Sequence, residues 1–271
     1  MGGCGVGYPI DNAVHFVPTR HLPVPHSVNS PRSDNCANTN DSHGKYLINF
    51  VADERSIKLW SRYMMDVRFQ HPCTMIVSGP TSSGKTQWTI KLLRNIQDMF
   101  DHAQDHVYWC YSEYQDIFDT LRHVKFIEGL PDPNIFDPKQ RHLVVIDDLM
   151  SETDSRVTKL FTKGSHHRNV TVIFIVQNFF AKNPEMRTIS LNAHYLVLFK
   201  NPRDATQVVS LAKQMFPGNG KFLQEAYADA TKEPFGYLLV DLRQSTPEHM
   251  RLRTSIFPDE TQYVYIPKKL K

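Results

Sequence analysis

The sequence has no long apolar run and no apolar start. No stretch approaches the about 18 consecutive apolar residues that a membrane-spanning helix needs. The first 20 residues contain no hydrophobic region of the kind found in a secretory signal peptide. We therefore expect an intracellular protein that neither crosses a membrane nor is secreted.

The sequence has few cysteines and only a small net charge. The four cysteines are Cys4, Cys36, Cys73 and Cys110, and no two of them form a C-x-x-C pair. We expect reduced thiols rather than disulfides or a zinc site. The formal net charge is +3 at pH 7, which permits nucleic-acid binding without arguing for it.

Composition divides the chain into three parts. Residues 1–44 are rich in Pro, Asn, Ser, Gly and His and have no periodicity, which predicts a disordered N-terminal arm. Residues 45–257 contain apolar runs of strand length alternating with helical patterns and are expected to form one domain. Residues 258–271 form a tail with a basic end.

The central part has the alternation typical of an α/β fold. Near-continuous apolar runs at Leu143–Ile146 and Val172–Val176 are typical of strands buried on both faces of a parallel sheet. We expect a mostly parallel central sheet flanked by helices, with a C-terminal pair of strands. Further predicted elements are a strand at 46–51, helices at 55–67, 85–100, 114–123 and 154–163, a basic turn at 163–168, and the final strands at 235–242 and 251–257.

One stretch carries a nucleotide-binding motif. An apolar strand, a loop of small residues and a helical pattern follow one another, and the loop matches G-x-x-x-x-G-K-[ST]. Glycines let backbone N–H groups approach phosphate oxygens, and the helix N-terminus adds unpaired N–H groups. Lys85 is expected to reach the β- and γ-phosphates of ATP, and the Thr86 hydroxyl to bind Mg²⁺. The predicted ATP-binding residues are Gly79, Pro80, Thr81, Ser82, Ser83, Gly84, Lys85 and Thr86.

Two acidic residues follow the strand at Leu143–Ile146. In a phosphate-loop protein the first, Asp147, is expected to complete the Mg²⁺ shell. The second, Asp148, is then placed to orient and deprotonate an attacking water. Adjacent acids repel one another, and a bound cation relieves that cost. Many hydrolases of this kind have Glu at the second position, so the shorter Asp148 carboxylate sits further back.

A glutamine ends the strand at Val172–Val176. Ligands bind at the carboxyl edge of open α/β sheets, so Gln177 is placed to hold the attacking water or to sense the γ-phosphate. Hydrogen bonding at the strand end is the structural alternative for this residue.

Six segments follow one another in a recognisable order: Gly79–Thr86, Leu143–Leu149, Lys163–Arg168, Val172–Gln177, Met186–Asn192 and Tyr195–Asp204. The first four segments in this order resemble the motifs of the FtsK/HerA superfamily of ring-forming DNA pumps. The last two make the chain similar to DNA-packaging ATPases of large eukaryotic DNA viruses and of the Polinton and adintovirus type.

The resemblance implies a fold, an activity and partners. It implies a P-loop NTPase of RecA-like (ASCE) type that hydrolyses ATP with Mg²⁺ in a DNA-dependent manner. It also implies a homo-oligomeric ring, sequence-independent binding of double-stranded DNA, and capsid proteins as partners. The expected location is the nucleus or virus factory of a host cell, and the virion.

Two positions depart from the family pattern. Ser82 stands where the family usually has Gly, and a serine fits the loop if its φ is negative. The family often has Gly-Arg-His before the glutamine strand, whereas here the arginine is shifted to Arg168. Arg168 is the first candidate for an arginine acting on a neighbouring subunit's phosphates, followed by Arg203 and Arg187. For each of them a plain surface role is the alternative.

Three other classes of protein are alternatives to a DNA motor. A nucleotide kinase is disfavoured by the double acid and the glutamine, which suit attack by water, and no Arg-rich lid is evident. A general AAA+ machine usually adds a helical lid where this chain returns to strands. A scaffold that merely binds nucleotide does not need the complete set of Lys85, Thr86, Asp147 and Asp148.

Overall fold

The computed structural model describes residues 13–15, 66–149, 155–179 and 184–267. The strands are β1 (Ala13–His15), β2 (Thr74–Ser78), β3 (His106–Tyr111), β4 (Val124–Glu128), β5 (His142–Asp147), β6 (Val170–Val176), β7 (Tyr195–Phe199), β8 (Tyr237–Asp241), β9 (Leu252–Thr254) and β10 (Tyr263–Tyr265). The helices are α1 (Lys85–Arg94), α2 (Ile96–Met99), α3 (Ser155–Lys159), α4 (Ser165–His167), α5 (Pro184–Leu191), α6 (Thr206–Met215) and α7 (Gly220–Ala230).

The ten strands of the described residues belong to one sheet, with the order β1-β10-β9-β8-β7-β2-β6-β5-β3-β4. The six strands from β7 to β4 in this order run parallel. The four strands on the other side of β7 pair antiparallel. This arrangement confirms the predicted α/β fold of P-loop type, in which the strand before the phosphate loop lies in the middle of the sheet.

The central strands are buried on both faces, as their apolar runs predicted. Every residue of β5 and β6 is buried. Because successive side chains of a strand point to opposite faces, β6 sends Val172 and Phe174 into one core and Ile173 and Ile175 into the other. The helices α3, α5, α6 and α7 cover the first face, and α1 covers the second.

The C-terminal strands form the predicted closing pair and extend it. β8 pairs antiparallel with β9, as expected. β10 and β1, which the sequence pattern did not predict, lengthen the sheet beyond them. A buried ion pair supports this side of the sheet: the Arg253 guanidinium lies 3.1 Å from the Asp241 carboxylate, and both residues are at most 5% exposed.

Three predicted elements differ from the structure. The helix expected at 114–123 is a short 3₁₀ helix, Asp116–Thr120. Its Phe118 ring packs against Trp109 and Phe126. The helix expected at 85–100 is interrupted at Asn95, where α1 ends. The basic turn expected at 163–168 is helical: a π-helical turn, Leu160–Gly164, leads directly into α4, with Gly164 at a helical φ of −66°.

Some predictions fall outside the described residues. These are the strand at 46–51, nearly all of the helix at 55–67, most of the N-terminal arm and the basic end at 268–271. Within the described ranges, no helix combines the length and the apolar character needed to cross a membrane. Cys73 and Cys110 are free, buried thiols, and burial raises the pKa of each to about 12.

Candidate active site

The phosphate loop connects the central strand β2 to helix α1. Gly79 follows the strand directly, and a Cβ atom there would lie 2.7 Å from both Phe199 Cβ and Ser83 Oγ, so a side chain does not fit. Gly84 caps the helix with a φ of +100°, a conformation that L side chains rarely adopt. The two motif glycines are therefore required by the shape of the loop itself.

Ser82 does not meet the condition under which a serine was expected to fit the loop, namely a negative φ. Its φ is +63°, in the left-handed region. The serine therefore holds a backbone conformation that a glycine would adopt more readily. The side chain is exposed, so no packing contact compensates the backbone strain.

Lys85 folds back over the loop that precedes it. Its ammonium donates hydrogen bonds to the carbonyl oxygens of Gly79, at 2.7 Å, and Pro80, at 2.9 Å. Partial burial lowers the pKa of Lys85, while the nearby carboxylates of Asp148 and Asp147 raise it. The cation is thus held at the centre of the loop, within the field of two acids.

Sheet pairing brings the other predicted site residues to the same edge. Ser78, the last residue of β2, pairs with Val176 of β6, and Ile175 of β6 pairs with Asp147 of β5. The strands are parallel, so the phosphate loop, Gln177 and the two acids all follow the carboxyl ends of neighbouring strands. This is the arrangement expected from the sequence.

Asp147 is a buried acid with an unsatisfied oxygen. The residue is 7% exposed, and its Oδ2 atom has no hydrogen-bond partner among the residues that the structure describes. Burial, followed by the nearby Asp148 carboxylate, raises the pKa of Asp147 to about 6. An ionised carboxylate in this position is costly unless a cation compensates it.

The side chains at this edge suit Mg²⁺, which needs few protein ligands, better than a metal ion coordinated entirely by protein side chains. Thr86 is half-buried in the first turn of α1, and Asp147 offers its free oxygen. In the described ranges no group of three His, Cys, Asp or Glu side chains is arranged to hold an ion. Mg²⁺ commonly takes one or two protein oxygens and completes its shell with phosphates and water.

Asp148 and Gln177 meet beside this acid. Gln177 Nε2 donates to Asp148 Oδ2 at 3.4 Å, a long hydrogen bond between two exposed side chains. Asp148 has a φ of +50°, which turns it away from the strand direction and out of the core. The pair is therefore open to solvent, where a water molecule can approach both side chains.

Arg168 does not join the site of its own chain. It precedes β6, at the amino edge of the sheet, and its guanidinium donates a hydrogen bond to the Pro133 carbonyl oxygen. Arg203 follows β7 at the carboxyl edge and is exposed, and Arg187 is exposed on α5. A role for any of these arginines on a neighbouring subunit stays a prediction.

The phosphate loop borders a pocket that is also lined by Phe235, an aromatic residue that the sequence analysis did not single out. The pocket has a volume of about 210 Å³ and is lined by residues 82–87 together with Phe235. The sequence pattern assigned Phe235 to a strand, but β8 begins at Tyr237. The Pro-Phe-Gly sequence at 234–236 was the available signal, since Pro and Gly mark a turn.

Comparison with known proteins finds only distant structural similarity. No protein-family model matches the chain, and no curated protein matches it. The genome packaging NTPase B204 from Sulfolobus turreted icosahedral virus 2, solved with ATP-gammaS, is 11% identical over 73% of this chain and 98% of that chain, with a TM-score of 0.42. EssC (ATPases 2 and 3) from Geobacillus thermodenitrificans is 11% identical over 74% of this chain and 41% of that chain, with a TM-score of 0.41. Likeness at this level does not establish a function, which depends on the chain's own site.

Proposed function

We propose that the protein binds ATP with Mg²⁺ and hydrolyses it. One observation carries the proposal: a phosphate loop with its lysine, a buried acid with a free oxygen, and an exposed acid–glutamine pair lie together at one edge of the sheet. Each part alone has a structural explanation. Together they provide a phosphate cradle, a cation ligand and a place for an attacking water.

The binding half of the site consists of the loop, Lys85, Thr86 and Asp147. Lys85 already faces two acceptor oxygens, and phosphate oxygens offer the same geometry with negative charge. Thr86 and Asp147 would hold Mg²⁺, which supplies charge neutralisation at the phosphate oxygens when it is bound. The raised pKa of Asp147 means that a cation and the carboxylate stabilise each other.

The hydrolytic half consists of Asp148 and Gln177. Asp148 is exposed to solvent, where it can accept a proton from water, while its buried neighbour Asp147 would face the cation. The Gln177 amide contacts the Asp148 carboxylate and can orient both it and the water. Water is the acceptor of the phosphoryl group in this arrangement, which makes the reaction a hydrolysis.

We further propose that ATP hydrolysis drives double-stranded DNA into a capsid. What supports this step is the resemblance of the ordered motifs to viral DNA-packaging ATPases, and the net charge of +3 is compatible with it. The partners would be duplex DNA bound through its phosphates without sequence preference, further copies of the chain in a ring, and capsid proteins. The site of action would be the nucleus or virus factory of a host cell.

The test is an ATPase assay with and without duplex DNA. We expect turnover that DNA stimulates, that falls steeply with salt, and that Lys85→Ala or Asp148→Asn removes. Glu113→Gln, at an exposed position outside the site, serves as a matched charge control. Phosphate transfer to a small nucleotide, with turnover indifferent to DNA, would refute the motor and favour a kinase. Electron microscopy with an ATP analogue and duplex DNA tests the ring.

A further inference from the structure

Phe235 is an exposed aromatic residue in an unusual backbone conformation. Its side chain is 69% exposed, although the strand β8 that begins two residues later is entirely buried. Its φ is +63°, a conformation that is a genuine outlier for a bulky residue. The backbone therefore holds the ring outside the core rather than letting it turn inward.

The ring lies against the start of helix α1. A Cβ atom built on Gly84 would lie 3.1 Å from Phe235 Cδ1 and 3.4 Å from Phe235 Cβ. Phe235 also lines the same pocket as the loop residues 82–87. The ring is thus a wall of the pocket whose floor is the phosphate loop.

A tight turn fixes the ring in this place. Gly236 donates its N–H to the Glu233 carbonyl oxygen at 3.1 Å. A Cβ atom on Gly236 would lie only 2.4 Å from the Ala230 carbonyl oxygen, so the turn closes directly onto the end of α7. The position of Phe235 is therefore set by the backbone before any ligand arrives.

We propose that Phe235 is the stacking platform for the base of the bound nucleotide. This inference deepens the proposed ATP site and rests on it. Phe235 borders the same pocket as loop residues 82–87, so a nucleoside whose phosphates lie in the loop would have this ring within reach. Stacking on an aromatic face tolerates every base, so Phe235 favours nucleotides over bare phosphates without selecting adenine.

The experiment compares two ligands that differ in having a base: ATP-gammaS and inorganic tripolyphosphate, each with Mg²⁺. Phe235→Ala is expected to weaken ATP-gammaS binding about tenfold and to leave tripolyphosphate binding unchanged, measured by calorimetry. Phe235→Trp keeps an aromatic ring at this position, so its affinity for ATP-gammaS is expected to equal that of the wild type. Its added indole fluorescence should be quenched by ATP-gammaS and not by tripolyphosphate, relative to the wild-type background of three tryptophans.

Matched variants separate the possible outcomes. Leu191→Ala removes an apolar side chain that is 70% exposed on another surface, and it should change neither affinity. If Phe235→Ala leaves both affinities unchanged, the stacking role is wrong and the ATP site stands. The same conclusion follows if Phe235→Ala weakens both affinities equally and ATP-gammaS does not quench the fluorescence of Phe235→Trp. If Lys85→Ala still binds both ligands as tightly as the wild type, the proposed ATP site itself fails, and the stacking role with it.

Discussion

Replacing Asp147 with Asn should make the metal-free protein more stable at neutral pH. In the folded protein the pKa of this acid is raised from 3.8 to about 6, so ionising it costs more in the fold than in the unfolded chain. One pKa unit corresponds to about 1.4 kcal/mol, which gives a cost of about 3 kcal/mol well above pH 6. Asn keeps the shape but needs a partner for its amide, so we expect a net gain of about 1–2 kcal/mol.

The pH dependence of this gain follows from the direction of the shift. Because the folded protein holds the proton more tightly than the unfolded chain, raising the pH through the interval from about 4 to 6 destabilises the wild type. Asp147→Asn has no such proton. The gain from removing the ionised carboxylate should therefore be full above pH 7 and nearly lost near pH 4, where the cost of the unpartnered amide makes Asp147→Asn slightly less stable than the wild type.

The assay is urea unfolding in EDTA at a series of pH values, with thermal unfolding as a second probe. For a chain of this size 1 kcal/mol corresponds to a shift in Tm of about 2–4 °C. Glu113→Gln is the matched control, because it removes an exposed carboxylate at a position outside the site. A variant Asp147→Asn that is less stable than the wild type at pH 7.5, or equally more stable at pH 4 and 7.5, would refute the reasoning.

Three further predictions concern Ser82 in the phosphate loop, the buried Asp241–Arg253 ion pair and Arg168. Ser82→Gly removes the backbone strain of a φ of +63° and should raise the free energy of unfolding by up to about 1 kcal/mol, measured by thermal unfolding. A lower stability would show that the serine side chain itself stabilises the loop. Asp241→Ala leaves the Arg253 guanidinium buried alone and should cost about 3–5 kcal/mol in urea unfolding. The pair replacement Asp241→Leu with Arg253→Met should recover most of that loss. Mixing Arg168→Ala subunits with wild type should depress ATPase activity more than in proportion to the mutant fraction, and strict proportionality would exclude action across an interface.

The sheet and the edge that carries the site could be predicted because their signals are local in the sequence. The apolar runs of β5 and β6 are buried along their whole length, as such runs predict in parallel sheets. Once the strands are parallel and neighbouring, the residues that follow them must meet at one edge. The contact between Gln177 and Asp148 is a direct result of that pairing.

The rest of the site depends on contacts between distant parts of the chain. Phe235 could not be assigned to the pocket because its turn is placed by the packing of α7 and β8, far along the chain from Gly84. The φ of Ser82 is imposed by closure of the loop between β2 and α1, against the preference of the residue itself. The 3₁₀ turn at Asp116–Thr120 likewise reflects aromatic packing onto Phe118 rather than helical periodicity.

The hydrogen bonds from Lys85 to its own loop have a consequence for ligand selection. A ligand that enters must compete with the Gly79 and Pro80 carbonyl oxygens for the same ammonium. The exchange keeps the number of hydrogen bonds constant and replaces neutral acceptors with anionic ones. The gain therefore grows with the negative charge presented at that point, so a monophosphate profits little and a triphosphate profits most. The two carbonyl oxygens thereby favour nucleotides that bring more negative charge to Lys85.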